Sequence, residues 1–274
     1  MNVERLKGKV AVVMGASRAG NMGQAIAARF LAEGARVVVA GRGIEGLNTF
    51  AAQTGATARR CDISNKSEVQ ALVAAVLSEH GAIDIAVNAA ATGQYSAFEQ
   101  TSESEIDEML AIIFKGSFFF MQVMVGAMKR ERASGRGGAI INISSAVADI
   151  MFENHAAYMG AKAGMNHVTR TVANEFGRFG IRANTISPGL TLTPMLGGFV
   201  APGMIAAFEK EYPLGRLTTV EDIANTAVFV ASDECFMTGQ TFHVTGGLTL
   251  RRNPTAAEIA AAVQAAGTGG AKGM

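Results

Sequence analysis

Strand-like and helix-like stretches alternate along almost the whole chain. Short runs rich in Val, Ile and Ala, typical of buried strands, are followed by longer stretches with apolar positions at helical spacing. Strands are predicted at residues 9–14, 36–40, 57–63, 83–89, 138–144, 181–187 and 240–247. Helices are predicted at 23–33, 44–53, 66–80, 103–130 and 156–179, with a looser stretch at 190–230. This alternation predicts βαβ units, so the expected fold is α/β, with a single doubly wound parallel sheet of about seven strands and helices on both faces.

A glycine-rich segment, GASRAGNMG, joins the first predicted strand to the first predicted helix. Gly15, Gly20 and Gly23 are spaced G-x-x-x-x-G-x-x-G, which matches neither the dinucleotide fingerprint G-x-G-x-x-G nor the phosphate loop G-x-x-x-x-G-K-S/T. The context still favours phosphate binding, because glycines allow a tight turn and the first N–H groups of a helix lack partners. The segment is therefore a candidate anion site at the carboxyl edge of the sheet.

The composition excludes several other classes of protein. The chain has 274 residues, 49% of them hydrophobic, and its net charge is +1. It can build one α/β domain, and its charge gives no reason to expect nucleic acid or an acidic membrane surface as a partner. Cys61 and Cys235 are too few for a disulfide framework, so we expect both to be buried in a reducing compartment. No His, Asp or Glu cluster suggests a metal site, and none is expected.

The N-terminal residues are not typical of a targeting signal. Residues 1–10 mix charged and apolar side chains, and no apolar run approaches the roughly 18 residues of a membrane span. We therefore expect a cytoplasmic protein. After Arg252 the chain becomes rich in Ala and Gly, so the domain is expected to cover residues 1–252. The tail, residues 253–274, is either a short peripheral helix with a frayed end or a segment docked on another subunit.

Tyr158 and Lys162 open the fifth long predicted helix, and their spacing stacks the phenol and the ammonium on one face. A cation beside a phenol favours the phenolate and lowers a pKa that is about 10 when unperturbed. Tyr158 is therefore a candidate proton donor near neutral pH. Surface helices often carry such pairs, so the spacing alone is weak. Ser145, at the end of a strand 13 residues earlier, makes the hypothesis specific.

With these residues the chain resembles the short-chain dehydrogenase/reductase family over about residues 7–250. In that family a Ser precedes the Tyr by this interval and the Lys follows it by four, as Ser145, Tyr158 and Lys162 do here. Further stretches typical of the family are DIAVNAA, IRANTISPG, PLGRLTTVEDIA and TGQTFHVTGG. The resemblance implies a Rossmann-type NAD(P)-binding domain and an oxidoreductase.

The resemblance also implies a role for each site residue. Ser145 would stabilise charge on the substrate oxygen as hydride arrives, and Tyr158 would deliver the proton. Lys162 would hold the nicotinamide ribose and lower the pKa of Tyr158, and Thr193 would help to hold the carboxamide. The cofactor-binding residues implied are Gly15, Ser17, Arg18, Gly20, Asn21, Met22, Gly23, Arg42, Asp62, Ile63, Asn88, Ala89, Ala90, Tyr158, Lys162, Pro188, Gly189, Thr191 and Thr193.

The residues after the second strand favour NADP(H) over NAD(H). An acidic residue there would accept bonds from the adenosine 2′-hydroxyl and repel a 2′-phosphate, but Gly41 and Arg42 follow this strand. Arg42 offers a guanidinium to a 2′-phosphate, and Arg18 is a second candidate cation. The alternative for Arg42 is a solvated surface arginine. Asp62, with the backbone of Ile63, matches the family position that hydrogen-bonds the adenine.

Several positions depart from the common family pattern. Met14 replaces the usual Thr, and the glycine-rich loop is two residues longer, as in the divergent enoyl-reductase branch. That branch has six residues between its Tyr and Lys, whereas this chain has three, which favours carbonyl chemistry. The usual NNAG is NAAA, which leaves Asn88 with Ala89 and Ala90. Ile113 replaces an asparagine that binds a proton-supplying water, so either turnover is slowed or another group orders that water.

The segment at about 190–215 matches the place where the family builds a mobile lid over its substrate. Its apolar residues and those between Ser145 and Tyr158 predict a mainly apolar pocket for a bulky ketone or secondary alcohol, unless they pack only on protein. These residues are Ile150, Met151, Phe152, Met195, Leu196, Phe199, Val200, Met204, Ile205 and Phe208. Asn154 and His155 are candidates for the same pocket. The favoured alternative for His155 is a surface histidine whose hydrogen bonds are already satisfied.

The predicted function is an NADPH-preferring oxidoreductase that interconverts a bulky apolar ketone and its secondary alcohol by direct hydride transfer. One alternative is a nucleotide-binding partner or sensor subunit with little catalysis, favoured by Ile113 and the altered loop. The other is an enoyl reductase, favoured by the loop length alone. The apolar stripes at 103–130 and 156–179 fit the helix pairing usual in the family, so a homodimer or homotetramer is expected.

Overall fold

Seven parallel strands form one sheet in the order β3-β2-β1-β4-β5-β6-β7 in the computed structural model, which describes residues 4–131 and 137–269. The strands are β1 (Val10–Met14), β2 (Arg36–Gly41), β3 (Thr57–Arg60), β4 (Ile85–Asn88), β5 (Gly138–Ile143), β6 (Ile181–Pro188) and β7 (Thr241–Val244). The strand order reverses between β1 and β4, which is where a doubly wound sheet opens its ligand crevice. The predicted fold class is confirmed.

Helices cover both faces of this sheet and begin close to the predicted positions. They are α1 (Met22–Ala32), α2 (Ile44–Thr54), α3 (Lys66–His80), α4 (Glu103–Met109), α5 (Gly116–Glu131), α6 (Ala156–Phe176), α7 (Pro202–Glu209), α8 (Val220–Ala231) and α9 (Ala256–Gly269). Side-chain caps fix several starts. Asn21 caps α1, and Thr219 and Asp222 cap α8 with bonds in both directions.

Alternate residues of the central strands supply the two halves of the core. Val12 packs into a cluster with residues of α3, α5 and α6, whereas Val13 packs into a second cluster with residues of α1 and α8. Successive side chains of a strand point to opposite faces, so a parallel strand covered on both sides must be apolar throughout. Cys61 and Cys235 are buried and free, as expected.

The longest apolar helical stretch runs from Glu103 to Lys129 and includes a π-helical segment, Leu110–Lys115, between α4 and α5. By length and mean hydropathy, 1.7 in its most apolar window, it is apolar enough to cross a membrane. This is weak evidence for a membrane span, because a buried core helix meets the same criteria. Half of that window is buried, and the stretch packs on α3 and α6, as a helix in the core of a domain does.

A small third cluster joins the expected lid to the segment after Ser145. Its buried members include Ala146, Phe208 and Tyr212, with Phe152 and Ile259 packed beside them. The lid helix α7 therefore rests on residues that follow the fifth strand, and on a residue of the C-terminal tail.

The tail forms α9, which packs lengthwise on α7 of the same chain. A Cβ at Gly203 of α7 would lie 2.2 Å from the carbonyl oxygen of Ala262, so the two backbones touch. Before α9, Asn253 donates to the carbonyl oxygen of Met151 at 3.0 Å, and the Ala256 N–H donates to Glu153 at 3.0 Å. The tail is thus tied both to the lid and to the segment preceding α6. The division of the chain at residue 252 stays a prediction.

Replacing Gly203 with Ala is expected to separate α9 from α7. Alanine favours an isolated helix, but this Cβ overlaps the backbone at Ala262, so the free energy of unfolding should fall by about 1 to 3 kcal/mol. Thermal unfolding followed by circular dichroism measures the change. Gly267→Ala in α9 is the matched control, because no atom lies within 4 Å of its Cβ position, and its stability should be unchanged or slightly higher. Equal effects in both variants would contradict the packing argument.

Candidate active site

The glycine-rich loop lies at the point where the strand order reverses. Gly15 follows β1 with a φ of +91°, and a Cβ there would lie 2.5 Å from the backbone of Ala89 and Ala90, which follow β4. Gly23, in the first turn of α1, is equally confined, because its Cβ would lie 2.6 Å from the Gly15 oxygen. The two glycines therefore allow the loops after β1 and β4 to meet at the amino end of α1.

Asn21 holds this loop in shape. Its Oδ1 accepts the Gln24 N–H at 2.9 Å, and its Nδ2 donates to the Gly15 carbonyl oxygen at 2.8 Å. Gly20 has a φ of +74° and no atom within 4 Å of its Cβ position, so the loop is open on that side. Met22 begins α1 directly after this cap. The loop thus presents the positive end of a helix dipole beside open space, which suits a phosphate.

Ser17 explains why the chain has no acidic residue after β2. Its Oγ accepts the Gly43 N–H at 3.1 Å, and a Cβ at Gly41 would lie 2.3 Å from the same Oγ. Any side chain at position 41 would displace Ser17. Arg42, next along the chain, and Arg18 in the loop are both exposed. The adenosine end of the crevice therefore carries two exposed guanidinium groups, those of Arg18 and Arg42, and it has no carboxylate at position 41.

Asp62 and Ile63 follow β3 at the same edge. Burial works against ionisation of Asp62, but hydrogen bonds from Ser64 at 2.9 and 2.7 Å, with the charges of Arg42 and Arg60, outweigh it and lower its pKa. The Ile63 side chain is buried in the core, which leaves its backbone to face a ligand. Arg42 thus acts electrostatically on a residue predicted to bind the adenine.

Asn88, at the end of β4, is fully buried, and its side chain hydrogen-bonds to other buried groups of the protein. Its Nδ2 donates to Ser117 Oγ at 2.8 Å and to Asn142 Oδ1 at 3.2 Å, while its Oδ1 accepts the Ala90 N–H at 3.1 Å. Asn142 in turn donates to Thr169 of α6 at 2.9 Å. This polar network joins β4, β5, α5 and α6 beneath the crevice. Sequence reasoning missed it, although single polar residues inside apolar runs were its signal.

Ile113 lies at the end of the same network. Its side chain is fully buried, and it belongs to the π-helical segment, a feature frequent at functional sites. Ser117 Oγ donates to the Ile113 carbonyl oxygen. The backbone at position 113 is therefore part of the polar network, whereas its isoleucine side chain cannot hydrogen-bond a water.

Ser145, Tyr158 and Lys162 come together at the carboxyl end of β5. Ser145 Oγ accepts the Val147 N–H at 3.4 Å, and it lies close enough to the phenol of Tyr158 to oppose the rise in the pKa of that phenol. Lys162 is 2% exposed, and its Nζ donates to the Ile143 carbonyl oxygen at 2.7 Å. The same Nζ lies 5.7 Å from the centre of the Tyr158 ring. The three predicted catalytic residues thus form one cluster, although their roles stay predictions.

Burial dominates the electrostatics of this cluster. It raises the pKa of Tyr158 to about 12, against the opposing hydrogen bond from Ser145. It lowers the pKa of Lys162 to about 7. In the protein chain alone, burial is the largest influence on both groups, and the expected lowering of the Tyr158 pKa by Lys162 stays a prediction.

The residues after β6 complete this side of the crevice. Pro188 ends the strand, and a Cβ at Gly189 would lie 2.3 Å from the Tyr212 hydroxyl oxygen, so only glycine fits against the lid. Thr191 is buried and donates to the Gly189 carbonyl oxygen at 3.0 Å. Thr193 is half-buried and precedes the 3-10 helix Pro194–Phe199. Of these two threonines, Thr193 is the more exposed.

Two orphaned hydroxyl groups lie beside the cluster. Ser144 follows β5, and Ser187 is the penultimate residue of the neighbouring strand β6. Both Oγ atoms are buried with no hydrogen-bond partner in the described part of the chain. Buried polar groups are normally satisfied, so such a pair is typical of a ligand site. Together with the Gly15–Gly23 cradle and the exposed Arg18, these residues fit a nicotinamide dinucleotide.

The apolar residues expected to line the substrate pocket fall into two groups. Ile150, Phe152, Met204 and Ile205 are partly buried and pack against the third cluster, in which Phe208 is fully buried, so their role as pocket lining stays a prediction. Met151 and Met195 remain exposed, at 71% and 46%. Leu196 is half-buried and Val200 is half-buried, whereas the side chain of Phe199 lies outside the described residues. Within the described ranges no cluster of three metal-binding side chains occurs.

Comparison with known proteins agrees with this geometry. Residues 15–249 match the family model described as enoyl-(acyl carrier protein) reductase. D-threitol dehydrogenase of Mycolicibacterium smegmatis is 38% identical over 90% of this chain and 95% of its own length. A 3-oxoacyl-(acyl-carrier-protein) reductase of Staphylococcus aureus is 32% identical over 88% of this chain and 98% of its own.

A solved structure shows the same architecture. The 3-ketoacyl-(acyl-carrier-protein) reductase of Brucella melitensis complexed with NADH superposes with a TM-score of 0.83 and 31% identity, covering 89% of this chain and 99% of that one. The family match spans most of the chain, and the Ser–Tyr–Lys cluster lies beside a dinucleotide cradle. The chain belongs to the short-chain dehydrogenase/reductase family of NAD(P)-dependent oxidoreductases.

Proposed function

We propose that this enzyme is an NADPH-preferring oxidoreductase that interconverts a ketone with a bulky apolar body and the corresponding secondary alcohol. The observation that carries the proposal is the cluster of Ser145, Tyr158 and the buried Lys162 at the crevice that holds the dinucleotide cradle. Two free, buried cysteines are typical of a protein in a reducing compartment, which supports a cytoplasmic location.

The side chains act on the carbonyl oxygen of the substrate. Ser145 donates a hydrogen bond to that oxygen and stabilises the charge that develops on it. Tyr158 gives its phenolic proton to the same oxygen, and in the reverse direction takes it back. When bound, the nicotinamide supplies the hydride. Lys162, once a ligand's hydroxyl groups favour its charged form, stabilises the phenolate that Tyr158 leaves behind.

The adenosine end of the crevice supports the preference for NADPH. Arg18 and Arg42 are exposed near the carboxyl end of β2, and Ser17 closes the space where an acidic side chain would stand. Two guanidinium groups favour a 2′-phosphate over a hydroxyl. The relative complexed with NADH shows that this fold also accepts the cofactor without that phosphate.

An enoyl reductase is the second candidate. The family model that matches the chain carries that description, and the glycine-rich loop has the corresponding length. The two activities separate when the enzyme is offered a saturated ketone and an α,β-unsaturated thioester in parallel. Reduction of the thioester alone would replace the ketone proposal, and tight NADPH binding without either turnover would indicate a nucleotide-binding subunit.

The assembly is proposed to be a homodimer or homotetramer. Ile106, Leu110 and Phe118 lie on the α4–α5 stretch and are each 40% to 44% exposed. Large apolar side chains grouped on one helical stretch are typical of a surface covered by a second subunit.

Tyr158→Phe should abolish most of the turnover while leaving cofactor binding intact. Loss of the proton donor is expected to lower kcat/KM by about 10² to 10⁴-fold. NADPH consumption over a panel of bulky apolar ketones, with NADH in parallel, measures the loss. A fluorescence titration of NADPH provides the control, since its Kd should change by no more than about twofold. Retained turnover in this variant would assign the proton to another group.

The two reaction directions should differ in pH dependence. Because burial raises the pKa of Tyr158, the phenol is protonated throughout the neutral range, so ketone reduction should stay nearly level from about pH 6 to 8. Alcohol oxidation needs the phenolate and should rise by about tenfold per pH unit over the same range. Initial rates in both directions test this, and a reduction rate that falls steeply in parallel would show a donor with a much lower pKa.

Arg42→Gln should reduce the preference for NADPH. Removing one guanidinium partner of the 2′-phosphate is expected to weaken NADPH binding by about tenfold and to leave NADH binding unchanged. Arg36→Gln is the matched control, because Arg36 is also exposed and lies at the opposite end of the same strand. Both variants remove one positive charge, so a general loss of charge predicts equal effects, and only contact with the phosphate predicts a difference. The Kd values of both cofactors decide between them.

A further inference from the structure

His155 lies beside the catalytic tyrosine but does not serve the helix that it begins. It is the residue before α6, three positions ahead of Tyr158, so the two side chains share one face of the helix start. Its side chain makes no cap hydrogen bond to α6. The preceding Asn154 has a φ of +62°, the one left-handed non-glycine residue in the described part of the chain. The turn that places His155 is thus a strained one.

The hydrogen bonds of the ring fix its tautomer. His155 Nδ1 lies 2.7 Å from the Glu153 carbonyl oxygen, and a carbonyl can only accept, so Nδ1 carries the proton. In the neutral ring, Nε2 is then an acceptor with a free lone pair. Burial lowers the pKa of His155, which keeps the ring neutral at pH 7. No described residue donates to Nε2, and this atom is not among the buried atoms that lack a partner, so it keeps some access to solvent.

Aromatic contacts hold the ring in place. The His155 ring centre lies 4.5 Å from that of Phe152 and 5.6 Å from that of Tyr95, the latter edge-on. Tyr95 belongs to a loop that is pinned to α6, because the neighbouring Gln94 accepts the Tyr158 N–H at 3.1 Å. Ser96 also donates to the Asn154 carbonyl oxygen at 3.0 Å. The acceptor at Nε2 is therefore fixed relative to Tyr158.

The side chains that contact the ring, Phe152 and Tyr95, are aromatic and form an apolar rim beside it. Tyr95 is 62% exposed, so this rim reaches the surface. A single fixed acceptor in an apolar rim selects ligands by the hydroxyl group that they offer, because a ligand without one leaves the acceptor desolvated and unpaired.

We propose that His155 is a specificity-determining residue whose Nε2 accepts a hydrogen bond from a hydroxyl group of the substrate other than the reacting one. The substrates are then hydroxy ketones and the corresponding diols with an apolar body. This inference rests on the proposed reduction of a ketone at Ser145 and Tyr158, and it names the class of substrate for that same site.

Matched ketones test the inference. Propiophenone, 2-hydroxypropiophenone and 3-hydroxypropiophenone share one apolar skeleton and differ in the presence and place of the hydroxyl group. The wild-type enzyme is expected to reduce at least one hydroxylated ketone with a kcat/KM about tenfold above that for propiophenone. His155→Phe preserves the ring contacts and removes the acceptor, so it should lose this preference while reducing propiophenone as before. His155→Gln restores an acceptor and should recover part of the preference.

Each outcome decides the inference. Loss of the hydroxyl preference in His155→Phe with recovery in His155→Gln supports it, and a purely structural role would instead lower turnover of all three ketones alike. Propiophenone reduction with no hydroxyl preference, or with a preference that survives in His155→Phe, overturns the inference and leaves the proposed function standing. Absence of turnover with every ketone, in a wild-type enzyme that binds NADPH, overturns both.

Discussion

The close approach of two loops at the reversal of strand order is the constraint on which the site depends. Gly15 can meet the Ala89–Ala90 backbone only because it has no Cβ and adopts a φ of +91°. This contact sets where α1 begins, and Asn21 then fixes the loop through bonds to both of its ends. A sheet that reverses at β1 and β4 opens a crevice, but the glycines let the backbone form a cradle inside it.

Burial of the catalytic cluster is the second determinant of the chemistry. The pKa of Lys162, about 7 rather than 10.5, corresponds to about 5 kcal/mol in favour of the neutral amine. A ligand that supplies hydroxyl acceptors to Nζ would recover part of that energy by restoring the ammonium, and the ammonium would then favour the phenolate of Tyr158. On the proposed function, the charge state of the pair would therefore change when the cofactor binds.

The sequence predicts most of this fold because the relevant signals are local. Strands buried on both faces are continuously apolar, and the caps at Asn21 and Thr219 lie next to the helices that they start. The Ser–Tyr–Lys spacing likewise needs only one strand end and one helix. Contacts between distant segments left no such signal: neither the overlap of Gly41 with Ser17 nor that of Gly203 with Ala262 can be deduced without the neighbouring backbone. The apolar lid residues show the same limit, since hydrophobicity does not distinguish a pocket lining from a cluster that packs on itself.

The C-terminal tail restrains the lid on the substrate side of the crevice. The lid helix α7 contacts α9, and the segment before α9 bonds to Met151 and Glu153. Opening α7 alone would therefore break contacts with the tail, whereas α7 and the tail moving together would break the bonds to the segment before α6. Tyr95, Met151 and Met195, which stay exposed, lie outside the third cluster. Contacts that a ligand makes with these three side chains therefore need not disturb the lid core.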